Sequence, residues 1–298
     1  MISFEKELSV EDGIRIYVKD KHYSDSFGWQ WKKFSKTQID DQDHDNSYLR
    51  LLNECGGDLS IFNNKTVLEL GSGAGRFTNI LLKHTSATVY SVDSSEAVKV
   101  NRENNSSFIN KRLFIFKASL YDLPFDKNQF DIVLCLGVLQ HTPDHIRSMN
   151  CLVENINKNG MLILDFYPLN GFWTYIHAKY IFRPITKRLD KNRLLKILDK
   201  YLDLMIKMSE IFIKLKIHHL NRFIPIADIK NAIPDNLEKN RRRDVILLDT
   251  FDMLSPENDR PLKIKKVSKY LSEFLDIKFA GKIKYKNFSS AVVRGIKN

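Results

Sequence analysis

In the stretch VLELGSGAGRF, Val67 to Phe77, three glycines stand at alternate positions: Gly71, Gly73 and Gly75. An apolar run precedes them and an apolar, helix-like segment follows. Glycine lets the backbone turn sharply and lets a ligand approach the main chain closely, so this turn is a candidate nucleotide cradle. A nicotinamide dinucleotide asks for G-x-G-x-x-G, with helix amides facing a pyrophosphate. Here the sixth position is Arg76, and the spacing is G-x-G-x-G with Glu69 ahead of it. Asp93 closes a second apolar run, ATVYSVD, where a carboxylate accepts hydrogen bonds from both hydroxyls of a ribose. A glycine-rich turn alone is weak evidence; with Glu69 and Asp93 at strand ends the set is much stronger. His141, in VLQHTPD, follows a later apolar run. Histidine titrates in the range useful for proton transfer, which makes it a candidate base or acceptor-orienting group. The competing reading is a histidine that caps the next helix or packs beside the ligand. Asp144 reads as the N-cap of the helix HIRSMNCLV rather than as a catalytic acid.

Short apolar strands alternating with helices must position these residues. KTVLEL, ATVYSVD, RLFIFKA, FDIVLCLG and GMLILDFY read as five strands. AGRFTNILLKH, EAVKVNRENN and DHIRSMNCLVENI read as helices between them, with Ser94 or Ser95 capping the second. Continuous apolar strands separated by helices imply a parallel sheet covered on both faces. In such sheets ligands sit beyond the carboxyl ends of the strands, where Glu69, the glycines and Asp93 fall.

The segments VLELGSGAGR, VYSVDSSEA, KASLYDLPFDKNQFDIVLCLGVLQHTPD and NGMLILDFY together resemble the class I S-adenosylmethionine-dependent methyltransferases. The resemblance covers roughly residues 65–167. It implies a Rossmann-like, doubly wound, mostly parallel seven-stranded α/β sheet, and S-adenosyl-L-methionine as cofactor. It also implies that Glu69, Gly71, Ser72, Gly73 and Gly75 face the methionine part, that Asp93 takes the ribose and that Ser94 flanks the adenine. Gly137 would lie beside the methionine end. Relatives often carry Asp four residues before LPF; here Ser119 stands there, leaving its hydroxyl and the Leu120 amide for the adenine. LGVLQH replaces the Asn/Asp-Pro-Pro-aromatic tetrad of base amino-methylases. Cys135 lacks the loop of a cytosine-C5 enzyme and reads as a core residue.

From Gly171 to about Val245 the pattern changes to a helical insertion after the fifth strand, expected to form a lid or acceptor pocket. Its stripe Leu194, Leu198, Tyr201, Met205, Met208, Phe212 and Leu215 reads as one helix face. The mixed charges opposite it favour a solvated face over a membrane anchor, although NGFWTYIHAKYIFRPITKR is aromatic and basic. Arg241, Arg242 and Arg243 read as a solvated run, or as a clamp for an anionic acceptor. Residues 1–45 read as an N-terminal arm, in which Trp29, Trp31 and Phe34 plug the sheet edge or line the acceptor pocket. Tyr23, His44, Tyr167 and Asp249 are further pocket candidates, and Asp249 and Asp252 sit where the chain rejoins the core.

The chain has 298 residues and a net charge of +11. Three cysteines without CxxC spacing fit a reduced, cytoplasmic protein and offer no metal site. No apolar run reaches bilayer-spanning length, so a soluble protein is expected. The expected activity is methylation of a small molecule, on a hydroxyl of a sugar, secondary metabolite or lipid-linked glycan. The alternatives are a nucleic-acid or protein methyltransferase, and a non-catalytic cofactor-binding interaction protein. Peripheral membrane contact and nucleic acid are less favoured.

Overall fold

The computed structural model describes residues 2–18, 39–40, 46–230, 238–285 and 289–298. Tyr23, Trp29, Trp31, Phe34 and His44 lie outside them. The described chain divides into two units. One comprises Met1–Pro168, Asn258–Ile283 and Ser290–Asn298; the other comprises Leu169–Glu257 and Lys284–Ser289.

The first unit is built on strands β1 (Ser9–Glu11), β2 (Ile14–Ile16), β3 (Thr66–Leu70), β4 (Thr88–Asp93), β5 (Leu113–Lys117), β6 (Phe130–Cys135), β7 (Ile156–Phe166), β8 (Leu275–Lys284) and β9 (Ser289–Lys297). Their order is β1-β2-β5-β4-β3-β6-β7-β9-β8. Pairs among β3, β4, β5, β6 and β7 are parallel, and β9 runs antiparallel to β7. The order reverses between β3 and β6, the place where an open α/β sheet opens a ligand crevice.

The sheet has nine strands where seven were expected. The extra pair is a hairpin inside the segment read as an arm, and β2 joins β5 in parallel through Ile14 opposite Ile115. Asp12 and Gly13 both have positive φ, 51° and 82°. Asp-Gly is the sequence that admits this two-residue hairpin turn, and burial of Ile14 and Ile16 anchors the pair.

Helices cover both faces. On one face lie α1 (Asn46–Cys55), α2 (Arg76–His84) and α3 (Ala97–Asn104), which share a core with Val67, Val89, Ile132 and Ile163. On the other lie α4 (His145–Asn155) and α8 (Ile264–Leu271), against Leu68, Leu70, Val92, Val133 and Leu164. Side chains alternate between faces along a strand. Glu69, Asp93 and Asp165 therefore share the parity of Val67, Ser91 and Ile163 and point toward the α1–α3 side. Cys135 packs in the opposite core, and burial pushes its thiol far up, as fits a core residue. Asp144 caps α4 by accepting from the Ile146 and Arg147 amides.

The second unit is helical: α5 (Ala178–Thr186), α6 (Lys191–Lys214) and α7 (Lys239–Leu254). It extends to Glu257, beyond the expected end near Val245, because α7 runs unbroken through that position. The buried face of α6 is Leu194, Leu195, Leu198, Leu202 and Met205, whereas Tyr201, Met208 and Leu215 are exposed. The expected stripe is thus rotated. The helix carries apolar residues around more than half its circumference, so spacing alone admits two overlapping faces. Packing against α7 selects one. Arg243 binds Asp199 and Asp203, and Arg242 binds Glu210, which draws that side of α6 toward α7. The arginine run is therefore neither a loose linker nor an open clamp at these two positions.

Candidate functional site

The glycine turn leaves β3 at the reversal point. Gly71, Gly73 and Gly75 have φ of 74°, 54° and 82°, values that side chains with a Cβ rarely adopt. A Cβ on Gly71 would sit 2.2 Å from the Val138 Cγ2, and one on Gly75 would sit 2.1 Å from the Asn101 Oδ1. Both positions are therefore closed to any larger residue. The Gly71 amide donates to the Val92 carbonyl at 2.8 Å and the Gly73 amide to Asp93 Oδ2 at 2.9 Å. Asp93 Oδ1 accepts from the Ser95 amide at 2.8 Å. A carboxylate has about four lone-pair sites, so Asp93 retains capacity for two further donors.

Glu69 is buried beneath this turn. Its Oε2 accepts from the Thr78 hydroxyl on α2, while its Oε1 has no hydrogen-bond partner. Burial, partly offset by Thr78, pushes its carboxyl up to about 7. A buried acceptor without a donor is costly, and this one marks a position suited to a cationic or hydrogen-bonding ligand group.

A polar network that sequence reasoning missed holds the turn from below. Asn101 Nδ2 donates to Ser91 Oγ at 2.8 Å and, at 3.2 Å, to Ser72 Oγ and Thr78 Oγ1. Asn105 binds Asn101 Oδ1 at 2.9 Å and accepts from Asn79 at 2.8 Å. The signal in the sequence is two asparagines four apart, one face of a helix. One of them belongs to the apolar side that must enter the core.

The adenine candidates lie near Asp93. The Ala118 amide donates to the Asp93 carbonyl at 3.1 Å and so brings the ends of β4 and β5 together. Ser119 and Leu120 follow in a buried turn, and the Ser119 Oγ accepts from the Tyr121 amide at 3.2 Å. Ser94 is half-buried after β4. Gly137 follows β6, beside the glycine turn, and its amide donates to Asp165 Oδ1.

Asp165 opens a second cluster that sequence reasoning missed. Its other oxygen pairs with Arg50 on α1, and Arg50 also binds Glu54 at 3.0 Å. Burial works against the Arg50 charge, but the two carboxylates more than reverse it and raise its pKa. Burial, and then the charge of Asp165, push Glu54 up. Arg76 lies over the Phe77 ring and makes no ion pair among the described residues. Burial, with Arg50 nearby, pushes it down to about 10. The available signals were an Asp inside the apolar strand GMLILDFY and an arginine directly after the glycines.

His141 is buried, with Nδ1 2.8 Å from the Asn258 carbonyl and its ring edge-on to Tyr167 at 5.6 Å. A carbonyl partner requires the proton on Nδ1, so in the neutral ring Nε2 carries the lone pair. His141 thus contacts Asn258 and Tyr167. Beside it, Gln140 is fully buried and neither side-chain amide atom has a partner.

A methyltransferase-domain family model matches residues 68–164, the span that holds the turn, Asp93 and His141. Residues 68–164 form a methyltransferase domain, and the fold around them is similar to that of a methyltransferase solved with bound SAM. The chain is 30% identical over 108 residues to a tRNA U34 carboxymethyltransferase of Nautilia profundicola, covering 36% of each protein. It is 29% identical over 126 residues to a ubiquinone biosynthesis O-methyltransferase of Coxiella burnetii, covering 41% of this chain and 53% of that protein. The chain thus spans about a third to a half of the curated relatives it matches. Among solved structures, magnesium protoporphyrin IX methyltransferase from Synechocystis PCC 6803, with bound SAM, aligns over 93% of this chain and 94% of that one. Its TM-score is 0.50 at 15% identity, a likeness of fold. The methyltransferase domain places its glycine turn, Asp93 and Gly137 along one edge of the sheet.

Proposed function

We propose that this protein transfers a methyl group from S-adenosylmethionine to a small-molecule acceptor, at a hydroxyl. The observation that carries the reading is Glu69 Oε1, buried and unpartnered beneath a turn that only glycine can form, with Asp93 at the neighbouring strand end. In this reading Glu69 and the amides of Gly71 to Gly75, with Ser72 among them, hold the methionine end. Arg76 takes its carboxylate, and Gly137 borders it. Asp93 accepts from the ribose hydroxyls. Ser94, Ser119 and Leu120 border the adenine. The cofactor supplies an electrophilic methyl on a sulfonium. The domain's own contribution is alignment of the acceptor and removal of its proton. His141 accepts that proton at Nε2, while Asn258 fixes the tautomer. Gln140 orients the acceptor.

The O-methyltransferase relative supports a hydroxyl acceptor, whereas neither relative's name supports a sugar or a lipid-linked glycan. The carboxymethyltransferase relative and the +11 charge favour a second reading, an RNA acceptor.

The test begins with titration of S-adenosylmethionine and its demethylated product into the purified protein. Saturable binding is expected, weakened about ten- to a hundredfold in Asp93→Ala, since hydrogen bonds to a charged group contribute about 1.5–3 kcal/mol. Absence of binding by the unaltered chain would sink the reading. Incubation with labelled methyl donor and cell extract then separates acceptors. Label on a soluble metabolite supports the first reading, and label on RNA supports the second. His141→Ala should lower turnover with cofactor affinity intact.

A further inference from the structure

Helix α6 presents a second apolar face, opposite in fate to the first. Ile197, Tyr201, Leu204, Met208, Ile211 and Leu215 follow one another at spacings of four and three, and each is 39–63% exposed. At 100° per residue they form one continuous stripe along about 27 Å of helix. Lys200, Lys207 and Lys214, at seven-residue intervals, border the stripe on the side away from the buried face. Two of the three acidic charges of the helix are matched by arginines, so the lysines are only partly offset. Asp199 and Asp203 are bound by Arg243, and Glu210 by Arg242. Charges that look mixed in sequence are thus largely sorted by α7, leaving an apolar stripe with a border of net positive charge.

The same unit carries further exposed apolar side chains, Phe172, Tyr175, Ile181, Phe182 and Ile185, in a stretch that also holds Lys179, Lys187 and Arg188. Twelve of the eighteen exposed large apolar side chains among the described residues belong to this unit. Solitary exposed apolar residues are ordinary, but contiguous ones mark an interaction site.

We propose that the exposed stripe of α6 is a docking surface for an anionic lipid membrane, lying in the interface with its lysines reaching the headgroups. Charge complementarity selects this occupant. Self-pairing of α6 would set the lysine border against another lysine border in an antiparallel pair. In a parallel pair it would face Leu198, Met205 and Phe212, two of which are already buried. Neither arrangement supplies an acidic partner at the flanking positions that stabilise paired helices. A membrane surface accepts the whole set, with Leu and Ile in the acyl boundary and long lysine stems snorkelling to anionic headgroups. Among the described residues no helix is long and apolar enough to cross a membrane, so the contact is peripheral.

The test is flotation of the full chain with vesicles of phosphatidylcholine alone and with added phosphatidylglycerol. Binding is expected on the anionic vesicles only, falling with added salt. Each cation near an anionic surface contributes roughly fivefold, so K200Q/K207Q/K214Q should weaken partitioning about a hundredfold. L204S/M208S/I211S should abolish it. The lysine substitutions are on exposed positions, and circular dichroism with binding of the demethylated cofactor product verifies folding in every variant. Equal binding to both vesicle types, or no binding, overturns the proposal. So does self-association in sedimentation that the serine variant removes, since it assigns the stripe to a second copy. The vesicle result does not depend on transferase activity, so its failure is separable from failure of the proposed function.

Discussion

The edge of the sheet that carries the glycine turn and the helix α6 treat their side chains in opposite ways. At the sheet edge, polar groups are buried and nearly all are bound: Asp93 by two amides, Asn101 by three hydroxyls and an asparagine, Asp165 by Arg50 and Gly137. Along α6, apolar groups stay in solvent while its carboxylates are tied down by arginines. The first pattern stabilises one geometry and leaves a few buried atoms, such as Glu69 Oε1, without a partner. The second leaves a surface. The first unit is thus organised around buried polar contacts, and α6 around an exposed apolar face.

The comparison can be broken most directly in the two cores. Phe130 fills the first unit and Phe251 the second, both fully buried. Replacing either by Ala should cost about 3–5 kcal/mol, measured by urea unfolding. If the units are energetically separate, Phe251→Ala lowers a transition that leaves cofactor affinity intact, whereas Phe130→Ala lowers both. A single shared transition for both variants would break the distinction.

The next effect concerns pH. Glu69 holds its proton more tightly folded, at about 7, than its ordinary value of 4.5. Between those values the unfolded chain has lost a proton that the folded chain retains. This group therefore stabilises the fold below about pH 4.5, and that contribution is lost as pH rises toward 7, by about 3 kcal/mol in all. Glu69→Gln should remove this slope, read as the change in urea midpoint between pH 5 and pH 8. A cationic ligand at Oε1 favours the ionised form, so cofactor affinity should rise over the same range in the unaltered chain and stay flat in the variant.

The smallest effect sharpens the helical side. Arg243→Ala removes contacts to Asp199 and Asp203, both largely exposed. Its cost to stability should be only about 0.5 kcal/mol. The same change frees two carboxylates on α6, so it should weaken partitioning to anionic vesicles more than it weakens the fold. An effect on stability alone would argue that the sorting of charge has no bearing on the surface.

Much of the first unit was legible because its strands are short, apolar and bounded by turns. The core strands from β3 to β7 lie where their apolar runs lie. The hairpin was missed although its Asp-Gly turn is a strong local signal; each strand has only three residues, too few for periodicity to register. In α6, one helix offered two apolar faces, and only the partner helix decides which enters the core. The cluster of Arg50, Glu54, Asp165 and Arg76 is scattered from α1 to β7. No local pattern joins it, because tertiary proximity is what shifts those charges.

The sequence by itself determined the glycine turn, the acid before it and the acid after it. Backbone conformations that exclude Cβ atoms and strand parity are both local properties. Only the tertiary structure decided that Glu69 lacks a partner at one oxygen, that Asn101 ties the turn to β4, and that His141 has its Nδ1 proton fixed by Asn258. It also decided that the acids of α6 belong to α7 while its lysines and second apolar face belong to the surface. Pairing and burial depend on which distant segments meet, and composition and spacing do not encode that directly.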